Sequence, residues 1–216
     1  MNLKETLKIT EIFSSIQGES SRVGLPTTFI RLTGCPLRCH YCDTSYAFTG
    51  GERITFDQIF TQVKNLGNKN ICVTGGEPLA QNNTKSFLRR LADSQYHVSI
   101  ETSGAICIDC IDPRVKIVMD IKTPDSGEVS KNNWSNISLM KPTDEFKFVI
   151  CSDEDYQWSK TILKKYTLHK KSSVLFSPCS DSIKASHLAN LILKDRLKVR
   201  FQMQLHKILW GNEPGR

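Results

Sequence analysis

No apolar run in this chain approaches the roughly 18–20 residues needed to cross a bilayer. The amino terminus, MNLKETLKITEIF, shows neither an apolar h-region nor a small-residue cleavage site. Without these signals the expected compartment is the cytoplasm, and no membrane partner is expected. There is no arginine-rich tail and no strand pair with interleaved aromatic and basic residues. The basic excess, +7 formal charge, falls in KTILKKYTLHKK (160–171) and KDRLKVR (194–200). We read these as solvated helix faces, with no nucleic-acid partner. Low-complexity tracts, internal repeats and composition breaks are also missing. The 216 residues, 39% hydrophobic, are therefore expected to form a single domain over 1–216.

One absence is local. GCPLRCHYCDT (34–44) carries Cys35, Cys39 and Cys42 spaced C-x3-C-x2-C, and no fourth cysteine follows until Cys72. A closed structural zinc site and an ordinary iron–sulfur site both want four protein ligands. The chain has eight cysteines, the others being Cys107, Cys110, Cys151 and Cys179. In a reducing compartment, clustered cysteines more often bind metal than pair as disulfides. Cys72, Cys151 and Cys179 read as scattered buried thiols. His40 directly follows Cys39 and would have difficulty reaching the same small ion. A zinc knuckle with the Cys107–Cys110 pair would require two matched pairs. The other candidate is a cubane cluster on three thiolates, with one iron left open to a small ligand.

What is present is an alternation of strands and helices. Strand-like runs are TTFIRL (27–32), NICVTG (70–75), HVSIET (97–102), VKIVMDI (115–121), EFKFVI (145–150), SVLFS (173–177) and VRFQMQ (199–204). Helical spacing marks Phe56, Ile59, Phe60, Val63 and Leu66, opened by a capping box of Thr55 and Gln58. Further helices are marked by Phe87, Leu88 and Leu91, by Tyr156, Ser159, Ile162, Leu163 and Tyr166, and by Leu188, Leu191 and Ile192. The polar stretch 123–144 reads as a long loop. The expected fold is α/β, a partial (β/α) barrel of six or seven parallel strands with crossover helices.

The unusual residues all follow strands. GCPLRCHYCDT follows the first, GGEP (75–78) the second, TSG (102–104) the third and KTPDSG (122–127) the fourth. SPCSD (177–181) and QLHK (204–207) end the sixth and seventh. The carboxyl rim is where such sheets bind ligands. Gly75 and Gly76 let backbone approach a ligand, and Glu77 offers a carboxylate to an ammonium group.

The cysteine spacing with a downstream GGEP resembles the radical S-adenosylmethionine superfamily. That resemblance implies a 4Fe–4S cluster on Cys35, Cys39 and Cys42. Its open iron would chelate the methionine part of S-adenosyl-L-methionine, and one-electron reduction would release a 5′-deoxyadenosyl radical. Across nearly the whole chain, IFSSIQGES, GLPTTFIRLTGCPLRCHYCDT, TGGEP, IETSG, DIKTPDSG, FKFVI and QLHKILWG resemble the 7-carboxy-7-deazaguanine synthase family. The resemblance implies a lyase that contracts 6-carboxy-5,6,7,8-tetrahydropterin with loss of ammonia, toward queuosine and other 7-deazapurines. It implies magnesium, a reducing protein such as a flavodoxin or ferredoxin, and a homodimer.

On that reading Gln17 and Glu19 meet the guanidine-like edge of the pterin. Arg31 meets its carboxylate or a nearby acid, and His206 closes the pocket. Thr44 offers magnesium a hard oxygen. Glu77 takes the methionine ammonium; Ser103 and Lys122 match positions that line the ribose and carboxylate region. No protein general base is assigned. Ser20 stands where the family often has glycine, and Cys107 and Cys110 have no role in the pattern. The alternatives are a glycyl-radical-activating enzyme of the same superfamily and a non-catalytic metal-binding module.

Overall fold

The computed structural model describes residues 5–180, 182–211, 213 and 215. The opening residues 1–4 of the amino-terminal reading and Asp181 of the SPCSD segment lie outside the described residues.

Among the described residues, nine strands form one sheet: β1 (Thr6–Ile16), β2 (Pro26–Leu32), β3 (Glu52–Thr55), β4 (Asn70–Gly75), β5 (His97–Thr102), β6 (Lys116–Asp120), β7 (Glu145–Ile150), β8 (Ser173–Pro178) and β9 (Arg200–Phe201). Their order is β3-β1-β2-β4-β5-β6-β7-β8-β9. From β2 to β9 in the sheet order every pairing is parallel, giving seven parallel strands where six or seven were expected. The sheet curls into a partial barrel that does not close, with β3 and β9 at its edges.

Two strands were not foreseen. β1 and β3 run antiparallel to their neighbours at one edge. The register of β1 shifts between Ile9 and Glu11, so its two-residue alternation breaks in mid-strand and the periodic signal is lost. At the other edge the seventh strand is shorter than 199–204. It ends at Phe201 because the Gln202 side chain turns to the backbone of Ser20, accepting from its N–H at 2.7 Å and donating to its carbonyl at 2.8 Å.

The helices lie where the apolar spacing puts them. They are α1 (Phe56–Leu66), α2 (Thr84–Asp93), α3 (Asp153–Lys165) and α4 (Ala185–Lys194). The capping box of Thr55 and Gln58 is formed, and α1 ends on Gly67 in the left-handed conformation. Phe56, Ile59, Val63, Phe87, Leu88, Leu91, Tyr156 and Leu188 bury their side chains against one face of the sheet.

Strand alternation divides the side chains between that core and the concave face. In β7, Phe146, Phe148 and Ile150 are fully buried in the core, while Lys147 and Val149 line a cleft. In β2, Ile30 and Leu32 go to the core, and Phe29 and Arg31 to the cleft. The 123–144 connector is a long loop with three short 3₁₀ turns. It is pinned by buried Asn136, which donates to the carbonyls of Gly104 and Ile106 at 3.0 and 2.9 Å.

Candidate active site

The concave face and the carboxyl ends of the parallel strands enclose a cleft of about 1160 Å³. The loop after β2 carries Cys35, Cys39 and Cys42 onto its wall, all half-buried and none in a disulfide. The loop backbone leans on the 123–128 connector: His40 N–H donates to Ser126 O at 3.1 Å. The His40 ring lies 3.1 Å from Asp125 O through Nδ1, a contact with the connector and not with the cysteines. Among the described residues, no three His, Cys, Asp or Glu side chains converge tightly enough to share one metal ion.

The GGEP turn after β4 packs directly on this loop. A Cβ on Gly76 would meet Gly34 O at 2.2 Å and Cys35 Cβ at 2.7 Å; one on Gly75, at φ +136°, would meet Leu32 O at 2.2 Å. Only glycine allows the two turns to approach so closely, and both glycines line the cleft beside Cys35. The thiols and this bare backbone fit a bulky soft-metal cluster with a small polar ligand at its side.

Glu77 is placed differently from Gly75 and Gly76. It is fully buried behind the wall, and its carboxylate accepts from Leu79 N–H at 2.9 Å, Thr102 Oγ1 at 2.9 Å, Ser103 N–H at 2.7 Å and Ser103 Oγ. Its visible work is to hold the TSG turn, so that Thr102 and Ser103 line the cleft. Lys122 also lines the cleft, with its ammonium 2.8 Å from Asp120 Oδ2. Burial works against that ammonium, but Asp120 and the thiols of Cys39 and Cys35 more than offset it, and its pKa rises. The other oxygen, Asp120 Oδ1, is buried without a protein partner, leaving one acceptor for a ligand.

The other end of the cleft is built from both ends of the chain. Gly18 O accepts from Leu205 N–H at 3.0 Å, and a Cβ on Gly18 would lie 2.0 Å from His206 Nδ1. The QGE turn is therefore seated on the QLHK segment. Gln17, Glu19, Arg31, Thr44 and His206 all line this end. His206 does not end a strand as expected: it sits in the first turn of a short helix, α5 (Leu205–Trp210). Burial lowers its pKa, against the opposing pull of Glu19 and Asp43, so the ring is neutral at pH 7.

Glu19 is held on two sides, by an ion pair with Lys147 and by Gln204 Nε2 donating at 2.6 Å. Burial opposes its charge, yet Lys147 and Gln204 hold its pKa below the usual carboxylate range. Arg31 takes the nearby-acid option: its Nε lies 2.6 Å from Glu11 Oε1, which also accepts from Tyr46 OH at 2.8 Å. Thr44 Oγ1 donates to Asp43 Oδ1 at 2.9 Å, and Asp43 pairs with Lys207 at 3.0 Å. Burial raises the Asp43 pKa, but Lys207 and Thr44 outweigh it and hold it at about 2.

Several wall residues escaped sequence reasoning. Lys147 and Glu101 were hidden inside strands read only for their apolar content; alternation could have found them, since each shares a face with cleft-lining neighbours. Asp43 and Lys207 stood inside quoted motifs without a role. Cys151 and Cys179, read as buried thiols, are half-buried and line the cleft, whereas Cys72 is fully buried. Cys107 and Cys110 are exposed in the loop between β5 and β6 and are not part of the cleft wall. The two basic runs meet far from it: Lys170, Lys171, Lys198 and Arg200 line a separate shallow groove at the amino ends of β8 and β9.

Known proteins match this arrangement. The family described as Radical SAM superfamily matches residues 29–178. The 7-carboxy-7-deazaguanine synthase of Chlorobaculum tepidum is 42% identical over 98% of this chain and 97% of its own length. That of Koribacter versatilis is 40% identical over 96% of this chain and 98% of its own. In fold, the crystal structure of QueE from Escherichia coli superposes with a TM-score of 0.71 at 22% identity, over 93% of this chain and 95% of that one. SuiB of Streptococcus suis bound to S-adenosylmethionine gives a TM-score of 0.55 at 15% identity, over 79% of this chain and 45% of that one. With thiols, paired glycines and a polar wall on one cleft and relatives of this closeness over its whole length, the chain belongs to the radical S-adenosylmethionine superfamily and, within it, to the 7-carboxy-7-deazaguanine synthase family.

Proposed function

We propose that this chain, acting as one unit over 1–216, converts 6-carboxy-5,6,7,8-tetrahydropterin to 7-carboxy-7-deazaguanine with release of ammonia. The product would feed queuosine or another 7-deazapurine. One observation carries the reading beyond family membership: residues 17–19 and 204–206, from opposite ends of the chain, meet on a single cleft wall beside the cysteine loop. That wall offers a planar polar ligand acceptors from Glu19, Gln17 and Glu101, with Arg31 on the same wall.

Cys35, Cys39 and Cys42 would hold a 4Fe–4S cluster, which would supply the electron for cleavage of S-adenosyl-L-methionine to a 5′-deoxyadenosyl radical. The protein orients and shields. Gly75 and Gly76 give backbone access next to Cys35. Ser103 and Lys122 line the same end, and Glu77 acts from behind through the TSG turn. Gln17 and Glu19 take the guanidine-like edge, Arg31, held through Nε by Glu11, offers its remaining guanidinium N–H groups to the carboxylate, and neutral His206 closes the wall. Thr44, beside the ionised Asp43, offers oxygen to Mg2+.

The expected setting is the cytoplasm; among the described residues no helix is long and apolar enough to cross a membrane. A flavodoxin- or ferredoxin-type protein would supply electrons. A homodimer is supported by exposed Ile208, Leu209 and Met203 around α5. A substrate deuterated at C6 tests the chemistry. The adenosyl radical is expected to take the hydrogen at C6, so deuterium should appear in the adenosyl group after turnover; an unlabelled adenosyl group, with the deuterium lost to water instead, would overturn that abstraction.

A further inference from the structure

Two cysteines outside the C-x3-C-x2-C motif stand side by side on the cleft wall. Cys151 follows β7 and Cys179 follows β8. These strands are parallel neighbours, with Ile150 opposite Pro178, so the two cysteines are the next residues along an adjacent pair. Cys179 N–H donates to Ile150 O at 2.8 Å, which continues the ladder to that point. Neighbouring strands lie about 4.8 Å apart, within the roughly 4.4–6.8 Å Cα separation that a disulfide spans. The thiols are in mutual hydrogen-bond contact, and neither is in a disulfide.

Their surroundings distinguish the two sulfurs. Ser182 Oγ donates to Cys179 Sγ at 3.5 Å, so Cys179 has a hydroxyl and a thiol as partners. Cys151 is the complementary partner: its hydrogen bond with Cys179, then burial, push its thiol pKa up and keep it protonated. Both face a cleft open to small molecules.

We propose that Cys151 and Cys179 form a dithiol oxidation site in the cleft wall, with low-molecular-weight disulfides of the glutathione type as the oxidant. The Cys179 thiolate attacks one sulfur of the oxidant and expels the other as a thiolate, giving a mixed disulfide on Cys179. The Cys151 sulfur then attacks the Cys179 sulfur, loses its proton and expels the second small thiol. Two protein thiols lose two electrons and two protons, and one small disulfide leaves as two thiols. The new bond ties the ends of β7 and β8 together across the wall that also carries Val149, Pro124 and Ser180. This site is independent of the identity of the substrate.

The test uses the full-length protein, purified and loaded with its cluster without oxygen, so that the ligating thiols are protected. It is treated with oxidised glutathione, remaining thiols are alkylated, and peptides are mapped by mass spectrometry. The expected product is a cross-linked peptide pair containing Cys151 and Cys179, released by dithiothreitol. In Cys151→Ser, glutathione should remain trapped on Cys179; in Cys179→Ser, Cys151 should stay free. Alanine at either position gives the same discrimination should serine perturb folding, and the wild-type map needs no variant. Free Cys151 and Cys179 in protein whose exposed Cys107 and Cys110 have been oxidised would overturn the site. Equal trapping on Cys151 and on Cys179 in the two variants would overturn the assigned order of attack.

Discussion

The two ends of the cleft are built on different principles. At the end formed by Gln17, Glu19, Lys147, Gln204 and His206, side chains satisfy one another: Glu19 binds Lys147 and Gln204, Gln17 reaches Glu101 at 3.4 Å, and Asp43 binds Lys207. At the end formed by the 34–44 loop, the backbone is held by the connector and by Gly76, while three thiols face the cleft. Recognition of a polar organic molecule needs donors and acceptors fixed before it arrives, and buried charges remain there only when paired. A cluster site needs little beyond soft ligands at the right spacing, because the group itself gathers them. The polar end should therefore fail through stability, and the thiol end through loss of its cofactor.

The largest separation of the two ends should come from replacing Cys35, Cys39 and Cys42 together with alanine. Iron, sulfide and the brown chromophore should be lost completely, and the far-ultraviolet circular dichroism should stay that of wild type. Iron retained in full would move the cluster to other cysteines.

Glu19→Ala should act the opposite way. It removes the ion-pair partner of the buried Lys147 ammonium and leaves only the more distant Asp120 and Glu101 to offset it, a loss of about 3 kcal/mol in denaturant unfolding. Adding Lys147→Met should recover much of that loss, as expected for a coupled pair. Iron content should be unchanged in both. Additive effects of the two substitutions would remove the pair from the account.

Gly76→Ala probes where the two ends meet. Its Cβ would press on Gly34 O and Cys35 Cβ, costing about 1–3 kcal/mol. Iron uptake should also fall, since the 34–35 backbone must shift. Normal iron uptake at wild-type stability would show that the close approach of these turns is dispensable.

The smallest effect is expected at Ser20, which holds φ +64° under the grip of Gln202. A left-handed non-glycine residue costs about 1–2 kcal/mol, and glycine returns about 0.5–1 kcal/mol of that as chain entropy. Ser20→Gly should thus stabilise by under about 1 kcal/mol without altering iron content. Destabilisation by that amount would mean that the Ser20 hydroxyl, which accepts from Arg22 N–H at 3.1 Å, matters more than the strain.

The same contrast explains what could be read in the sequence. The thiol end is local: eleven consecutive residues carry it, and spacing alone raised the question of the open ligand position. The seven parallel strands and four of the helices were legible because apolar periodicity is local too. The family pattern brought Gln17, Glu19 and His206 together, but not their reason for staying together. Lys147 supplies that reason from 128 residues away, and an interior lysine in EFKFVI looks like a solvent-facing strand position until the barrel curls over it. β1 escaped because a bulge breaks its alternation. The glycine expected at position 20 was a backbone requirement, visible only once the turn showed its positive φ. Cys151 and Cys179 looked scattered because adjacent parallel strands bring together residues far apart in sequence.

The central claim is that a preformed polar wall and a cluster-bearing loop act on one carboxylated tetrahydropterin. The most direct measurement incubates reduced, cluster-loaded protein with S-adenosylmethionine, magnesium and 6-carboxy-5,6,7,8-tetrahydropterin without oxygen, following the ultraviolet spectrum and ammonia. The account predicts a 7-deazaguanine chromophore with one ammonia released per product formed. Intact cluster and cleavage of S-adenosylmethionine with the pterin unchanged would contradict it and favour a protein-activating role.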